Sequence, residues 1–323
     1  MLSKKEKLDV VVPVYNEEEC LDELVRRLIL VKEKMNEVDM NLLFVNDGSR
    51  DGSILKLCSY AEKYSYIKVI SFSRNFGHQA AVTAGLDQAT GDYVAIIDAD
   101  LQDPPELIEP MYTKAKEGFD IVYGKRSSRK GETLFKKLSA RYFYKFISTM
   151  CDVEIPEDTG DFRLISRRVL TAVRAMREKH RFLRGMIPWV GFKSIPLYYH
   201  RDERHAGETK YPLRKMIRFA LDAIFSFSNT PLRLATYLGL VIVVLGILGG
   251  AFLMYLRFFT SYYVSGITAA ILTIVIMGGV QVVMLGIIGE YIGRIFEESK
   301  RRQLYIIEET KNLQGREAND IEK

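Results

Sequence analysis

Cysteine, histidine and tryptophan are scarce in this 323-residue chain, at three, four and one residues. Cys20, Cys58 and Cys151 lie far apart with no metal-ligand spacing, and their odd number argues against a disulfide scaffold and for a reducing compartment. The N-terminus, MLSKKEKLDV, carries charge but no apolar stretch ahead of the first strand-like run, so no cleavable signal peptide is expected. No Gly-x-Gly-x-x-Gly follows that run, which speaks against a dinucleotide-binding oxidoreductase. A net charge of +5, from 46 basic and 41 acidic residues, is too mild to point to nucleic acid.

Charge is missing most completely from two runs near the C-terminus. Neither Leu234–Leu256 nor Ile267–Ile288 contains Asp, Glu, Lys or Arg. Each is about 22 residues long, enough for a helix to cross the roughly 30 Å hydrocarbon core of a bilayer. The loop between them, Phe258–Gly266, has no basic residue, whereas Arg214, Lys215, Arg218 and Arg233 precede the pair and Lys300, Arg301 and Arg302 follow it. The positive-inside rule therefore places both termini in the cytoplasm of a multi-pass plasma-membrane protein. Gly246 and Gly250, and Gly289 and Gly293, have the small-xxx-small spacing that lets helices approach closely within or between chains.

Ahead of these runs, Leu8–Val14, Asn41–Val45, Ile67–Phe72, Tyr93–Ile97 and Phe119–Tyr123 read as strands. They alternate with helical patterns over Glu18–Lys34, Ser53–Tyr64, Gly77–Ala89 and Pro105–Lys116. Continuous apolar strands in a β-α-β-α rhythm predict an α/β domain, a mostly parallel central sheet with helices on both faces. Two basic amphipathic stretches, Leu134–Met150 and Leu213–Phe227, suit helices lying in a bilayer interface. The chain then divides into a cytoplasmic domain (1–212), an interfacial helix (213–230), a transmembrane hairpin (231–295) and a charged cytoplasmic tail (296–323) expected to fray as a partly helical segment.

In parallel sheets, ligands sit beyond the carboxyl ends of the strands. There this chain concentrates Pro13-Val14-Tyr15-Asn16-Glu17, Asn46-Asp47-Gly48-Ser49 and Asp98-Ala99-Asp100-Leu101-Gln102. Extended geometry would place Asp98, Asp100 and Gln102 on one side, where two carboxylates and an amide oxygen suit Mg²⁺ or Mn²⁺ with diphosphate completing the shell. Asp47 reads either as a turn residue or as an acceptor for a nucleotide base, and Pro13 and Tyr15 could flank that base.

The segments Val-Pro-Val-Tyr-Asn-Glu-Glu, Asn-Asp-Gly-Ser-x-Asp-Gly-Ser, Asp-Ala-Asp-Leu-Gln-Asp-Pro-Pro-Glu and Thr-Gly-Asp-Phe-Arg-Leu, in this order, resemble family 2 of the inverting glycosyltransferases. More narrowly they resemble the polyprenyl-phosphate enzymes related to dolichyl-phosphate mannose synthase, and the paired spans are similar to the bacterial subgroup acting on undecaprenyl phosphate. The resemblance implies a glycosyltransferase A fold and a membrane enzyme moving a sugar from a nucleotide sugar to a polyprenyl phosphate lipid, with a homo-oligomer plausible. It implies that Pro13, Tyr15, Glu17, Asp47 and Asp98 hold the nucleotide and that Asp98, Asp100 and Gln102 hold the metal and diphosphate. It also implies that Asp161 lies near the anomeric carbon and that Arg126, Arg204 and Lys210 meet phosphate. A second acceptor-phosphate residue has competing candidates in Lys136, Lys137 and Arg141.

A lipid monophosphate, with a second pKa near about 6, is already largely a dianion at neutral pH and hardly needs a general base. Asp161 is therefore read as a positioning or electrostatic group. A processive polysaccharide synthase of the same superfamily is the alternative enzyme, but it carries Gln-x-x-Arg-Trp, and the sole tryptophan here lies in Met186-Ile187-Pro188-Trp189-Val190. A silent membrane scaffold is countered by the intact acidic set. Topology is directly testable: in intact cells a membrane-impermeant thiol reagent should label a cysteine placed at Ser261 and spare one at Ser299, and the reverse pattern would overturn the cytoplasmic assignment.

Overall fold

The computed structural model describes residues 5–126, 159–199, 228–259 and 266–313. The interfacial stretches Leu134–Met150 and Leu213–Phe227 lie outside these residues. The five expected strands are present as β1 (Lys7–Val14), β2 (Asp39–Asn46), β3 (Ile67–Phe72), β4 (Tyr93–Ile96) and β5 (Ile121–Arg126). They are joined by β6 (Thr159–Ser166), β7 (Ser194–Tyr199) and β8 (Ile307–Lys311) in one sheet ordered β7-β5-β6-β4-β1-β2-β3-β8. Only β6 and β8 run against the others.

Side-chain alternation explains the two packed faces. Val10, Val12 and Val14 of β1 join one apolar core, and Val11 joins the core behind the sheet. On the first face lies α1 (Glu18–Lys34), whose Leu21, Leu24, Val25 and Leu28 are fully buried. Each such leucine or valine contributes about 1.5–3 kcal/mol. The same side carries α2 (Ser53–Lys63) and α4 (Ile108–Lys116), the latter entered through a 3₁₀ turn at Pro105–Leu107. The other face is covered by α3 (His78–Gln88), α5 (Arg167–Ala175) and α6 (Leu183–Trp189). Helix α3 approaches the sheet so closely that a Cβ on Gly85 would sit 2.2 Å from Val11 Cγ1. Arg174 of α5 closes the far end of α3 by donating to the carbonyls of Leu86 and Asp87, at 2.7 and 2.9 Å.

The two charge-free runs form α7 (Thr230–Phe259) and α8 (Gly266–Ser299). Both are long and apolar enough to be candidate membrane spans, and neither is buried in the protein: Leu240, Ile247 and Leu285 are each more than 60% exposed. Their apolar surface thus has no core to enter. A Cβ at Gly246, Gly250, Gly289 or Gly293 would meet nothing within 4 Å, so these glycines do not pair the two helices within the chain.

The expectation of a fraying tail after Arg294 is corrected. Helix α8 continues to Ser299, and the chain then returns to the sheet as β8, antiparallel to β3 with Ile70 opposite Thr310. Alternation hid this strand, because its solvent side is charged and its contacts lie at its ends. Tyr305 stacks on Phe72 at 5.1 Å and donates a hydrogen bond to Asp87. Asn312, at φ 59°, donates to the carbonyls of Ala61 and Ile67 at 2.5 and 2.9 Å. Asn tolerates this left-handed backbone better than Ala does. Asn312→Ala should cost about 2 kcal/mol and lower the melting temperature of the protein by roughly 5 °C; an unchanged melting curve would show that β8 does not brace the sheet.

Candidate active site

Sheet register creates the site. Strand β6 runs antiparallel to β4 with Arg163 opposite Ile96. Continuing that register by two residues places Asp161 across from Asp98, at the carboxyl edge of the parallel strands. Helix α3 starts at the same edge and delivers His78, whose Nε2 lies 3.1 Å from Asp161 Oδ2 and 3.6 Å from Asp98 Oδ1. The short helix α6 delivers Arg184, whose Nε and terminal nitrogen donate to the two Asp161 oxygens at 2.7 and 2.9 Å.

Asp161 is buried, and burial alone would raise its pKa. Hydrogen bonding to His78 and the bidentate Arg184 overcome that and hold the carboxyl well below the usual carboxylate range. It is therefore an ionised, fully engaged acceptor. Asp98 is the opposite case. Burial, with the nearby charges of Asp161, Asp103 and Asp100, pushes it up to about 6 against the opposing pull of His78. Its buried Oδ1 has no hydrogen-bond donor. Burial pushes His78 down, but its hydrogen bond to Asp161 and the charges of Asp98 and Asp161 leave it raised overall. With 42% of that side chain open to water, the acidic neighbours decide the sign.

Beneath the cluster lies Arg163, 4% exposed, donating to the carbonyls of Gly160 and Asp161. Burial pushes its guanidinium down to about 10, although Asp161 and Asp98 pull the other way. Asp103, fully buried, accepts a hydrogen bond from Tyr199 at the end of β7, tying the Asp98–Asp103 loop to the far strand.

The extended geometry expected for Asp98, Asp100 and Gln102 is corrected. Strand β4 stops at Ile96, Ala99 and Asp100 form a turn, and Leu101 has φ 58°. The backbone of Gln102 donates to Asp100 Oδ1, and Asp100 stays near enough to raise the pKa of Asp98. The groups that the structure brings within reach of one ion are His78, Asp98 and Asp161, with ligand atoms all within 4.8 Å of one another. Since Arg184 already occupies both Asp161 oxygens, Asp98 is the carboxylate that best fits a cation: its Oδ1 accepts no hydrogen bond, and burial and the neighbouring carboxylates raise its pKa despite His78 3.6 Å away. Hard oxygen donors suit Mg²⁺ or Mn²⁺.

Of the other expected residues, Asp47 sits 2% exposed at the end of β2 and accepts from Asn75 Nδ2 and the backbone amides of Phe76 and Gly77. Its carboxylate faces the β3–α3 loop, which it fixes. That loop presses so closely that a Cβ on Gly48, at φ 64°, would lie 2.5 Å from the Arg74 carbonyl carbon. Pro13 is paired within β1, Tyr15 is 43% exposed beyond it, and the Glu17 backbone N–H donates to the Ser53 hydroxyl. Arg126 ends β5. Lys136, Lys137, Arg141, Arg204 and Lys210 lie outside the described residues.

His78 and Arg184 were not foreseen. His78 had a signal, being one of four histidines and following the carboxyl end of a parallel strand. Arg184 had none, because nothing local shows that α6 turns back toward β6. Proton NMR titration should place the His78 pKa above the ordinary value of about 6.5. Asp161→Asn should lower it by removing the acceptor charge, and Arg184→Gln should raise it by removing a competing cation. Equal His78 titration in all three proteins would refute this charge arrangement.

Residues 9–174 match the model of glycosyl transferase family 2, and residues 230–295 match that of the GtrB C-terminal hairpin. The glycosyltransferase YkcC of Bacillus subtilis is 47% identical over 98% of this chain and 97% of its own. The bactoprenol glucosyl transferase of Shigella phage SfV is 38% identical over 94% and 99%. A crystal structure of S. aureus TarS 1-349 with UDP-GlcNAc is 19% identical, with a TM-score of 0.46 over 68% of this chain and 66% of that one. With the acidic edge of the sheet inside the first match and both charge-free runs inside the second, the chain belongs to glycosyltransferase family 2.

Proposed function

We propose that this glycosyltransferase moves a sugar from a nucleotide diphosphate sugar, UDP-glucose or UDP-N-acetylglucosamine, to undecaprenyl phosphate at the cytoplasmic face of the plasma membrane. The product would be a lipid-linked sugar donor for cell-envelope glycosylation. The observation that carries this reading is the union of the Asp98–Asp161 edge with a pair of apolar helices whose end folds back onto the same sheet. Full-length similarity to proteins named bactoprenol glucosyl transferase supports the acceptor.

The chemistry follows from the charges. The acceptor phosphate brings its own nucleophilic oxygen, ionised above about pH 6. Asp161, clamped by Arg184 and His78, is poorly suited to take a proton. Its negative charge, fixed near the reacting carbon, instead favours positive character developing on the sugar. Pro13, Tyr15 and Glu17 line the nucleoside side, while Asp47 shapes it through the β3–α3 loop. Asp98 would hold the divalent ion, which when bound offsets charge on the departing diphosphate, with Asp100 and Gln102 in the turn that follows it. Arg126, Arg204 and Lys210, with Lys137 or Arg141, would meet the phosphates.

Purified full-length protein in nanodiscs, supplied with undecaprenyl phosphate, Mg²⁺ and labelled sugar nucleotides, should form a lipid-soluble sugar phosphate from one of them. Chelator should abolish the reaction, and Asp161→Asn should slow single turnovers by about 100-fold or more. Activity should fall below about pH 6 in wild type and Asp161→Asn alike. Higher Mg²⁺ should shift any contribution of Asp98 to lower pH, because the ion competes with the proton. An acidic limb lost specifically in Asp161→Asn would restore a general-base role, and transfer undiminished by chelator would exclude the metal.

A further inference from the structure

A second polar concavity lies where α8 ends. The β3–α3 loop, the α5–α6 connection and the α8–β8 connection enclose a cavity of about 660 Å³. Arg74, Lys179, Arg181 and Arg302 line it, and Phe76 and Ile306 supply apolar wall. None of the lining residues is Asp98, Asp161, His78 or Arg184.

Its charges are unbalanced. Among the described residues, none of the four cations has a carboxylate within ion-pair distance. Their hydrogen bonds go to neutral carbonyls: Arg74 to Asn75, Lys179 to Arg302, and Arg181 to Val173 and Met176. Such bonds bring no countercharge into contact with the cations. Arg181 is only 9% exposed, and its Nε has no acceptor. Of the nearby acids, Asp87 pairs with Arg177, Glu297 pairs with His180 at 2.9 Å and Glu298 accepts the Lys179 backbone amide, while Asp87 and Glu178 act on Arg181 only from beyond ion-pair distance. The contacts of Glu297 and Glu298 also fix the cavity wall to the last turn of α8.

Guanidinium groups match phosphate in shape and charge. The cavity adjoins the end of a candidate membrane span, where anionic headgroups lie, and its apolar wall suits the first methylenes of a lipid. We propose that this cavity is a binding site for a phosphate-bearing anion, filled from the membrane by an anionic phospholipid headgroup. The proposal does not rest on the proposed transfer reaction, and its test needs no turnover.

Calorimetry on the full chain in neutral detergent, with dihexanoylphosphatidylglycerol as titrant below its micelle concentration, should show saturable binding. The zwitterionic dihexanoylphosphatidylcholine should bind far more weakly. Arg74→Gln combined with Arg302→Gln should weaken the anionic lipid by at least about tenfold without changing the melting temperature; Lys179→Gln serves if that pair fails to fold. Inorganic phosphate that competes only weakly supports the lipid as occupant. Inorganic phosphate binding as tightly as the lipid overturns the membrane source. Absence of saturable binding, equal affinity in the folded variants, or displacement of the lipid by UDP overturns the site.

Discussion

Carboxylates gathered on one sheet edge impose the constraint around which this domain is arranged. Asp47, Asp98, Asp100 and Asp161 arrive there from three strand ends, Asp98 half-buried and the other three buried. Each has a different solution. Asp47 is held by backbone amides, Asp161 by a guanidinium and an imidazole, and Asp100 accepts a backbone amide from two residues ahead. Burial raises the pKa of both Asp47 and Asp98, and of these four Asp98 is the one with a buried oxygen that accepts no hydrogen bond. The four carboxylates thus share one edge in different electrostatic states, with Asp161 ionised and clamped and Asp98 holding an oxygen that accepts no hydrogen bond.

Reversing one strand makes this possible. Because β6 runs against β4, its beginning rather than its end reaches the ligand edge. The chain then leaves β6 at the opposite edge and crosses the back of the sheet as α5 before α6 returns Arg184 to Asp161. The connection between those helices also carries Lys179 and His180, which grip the end of α8. One short stretch, 179–184, therefore touches both the last turn of an apolar helix and the central carboxylate of the site.

The parallel half of the sheet was legible because its strands are buried on both faces and read as unbroken apolar runs, Val10–Val12 and Leu42–Val45 among them. Glu18–Lys34 and Ile67–Phe72 match the observed elements end to end. The antiparallel strands were not legible. In β8, Glu308 and Glu309 face water, and the anchors are Tyr305 and Asn312 outside the strand. The acidic residues were found from their places after strands, but their mutual geometry was not, since the positive φ of Leu101 breaks the alternation that extended backbone would maintain. His78 and Arg184 become neighbours of Asp161 only through tertiary packing.

Strand β8 makes the apolar pair an insertion within the sheet's connectivity rather than an appendage to a finished domain. During synthesis, β3 is made long before its partner, which emerges only after both helices have left the ribosome. Until then the β3 edge offers unpaired amides and carbonyls, the kind of edge that invites association with other chains. Completing the sheet therefore waits until both apolar helices have been made, so the last strand of the domain is also the last part of it to be synthesised.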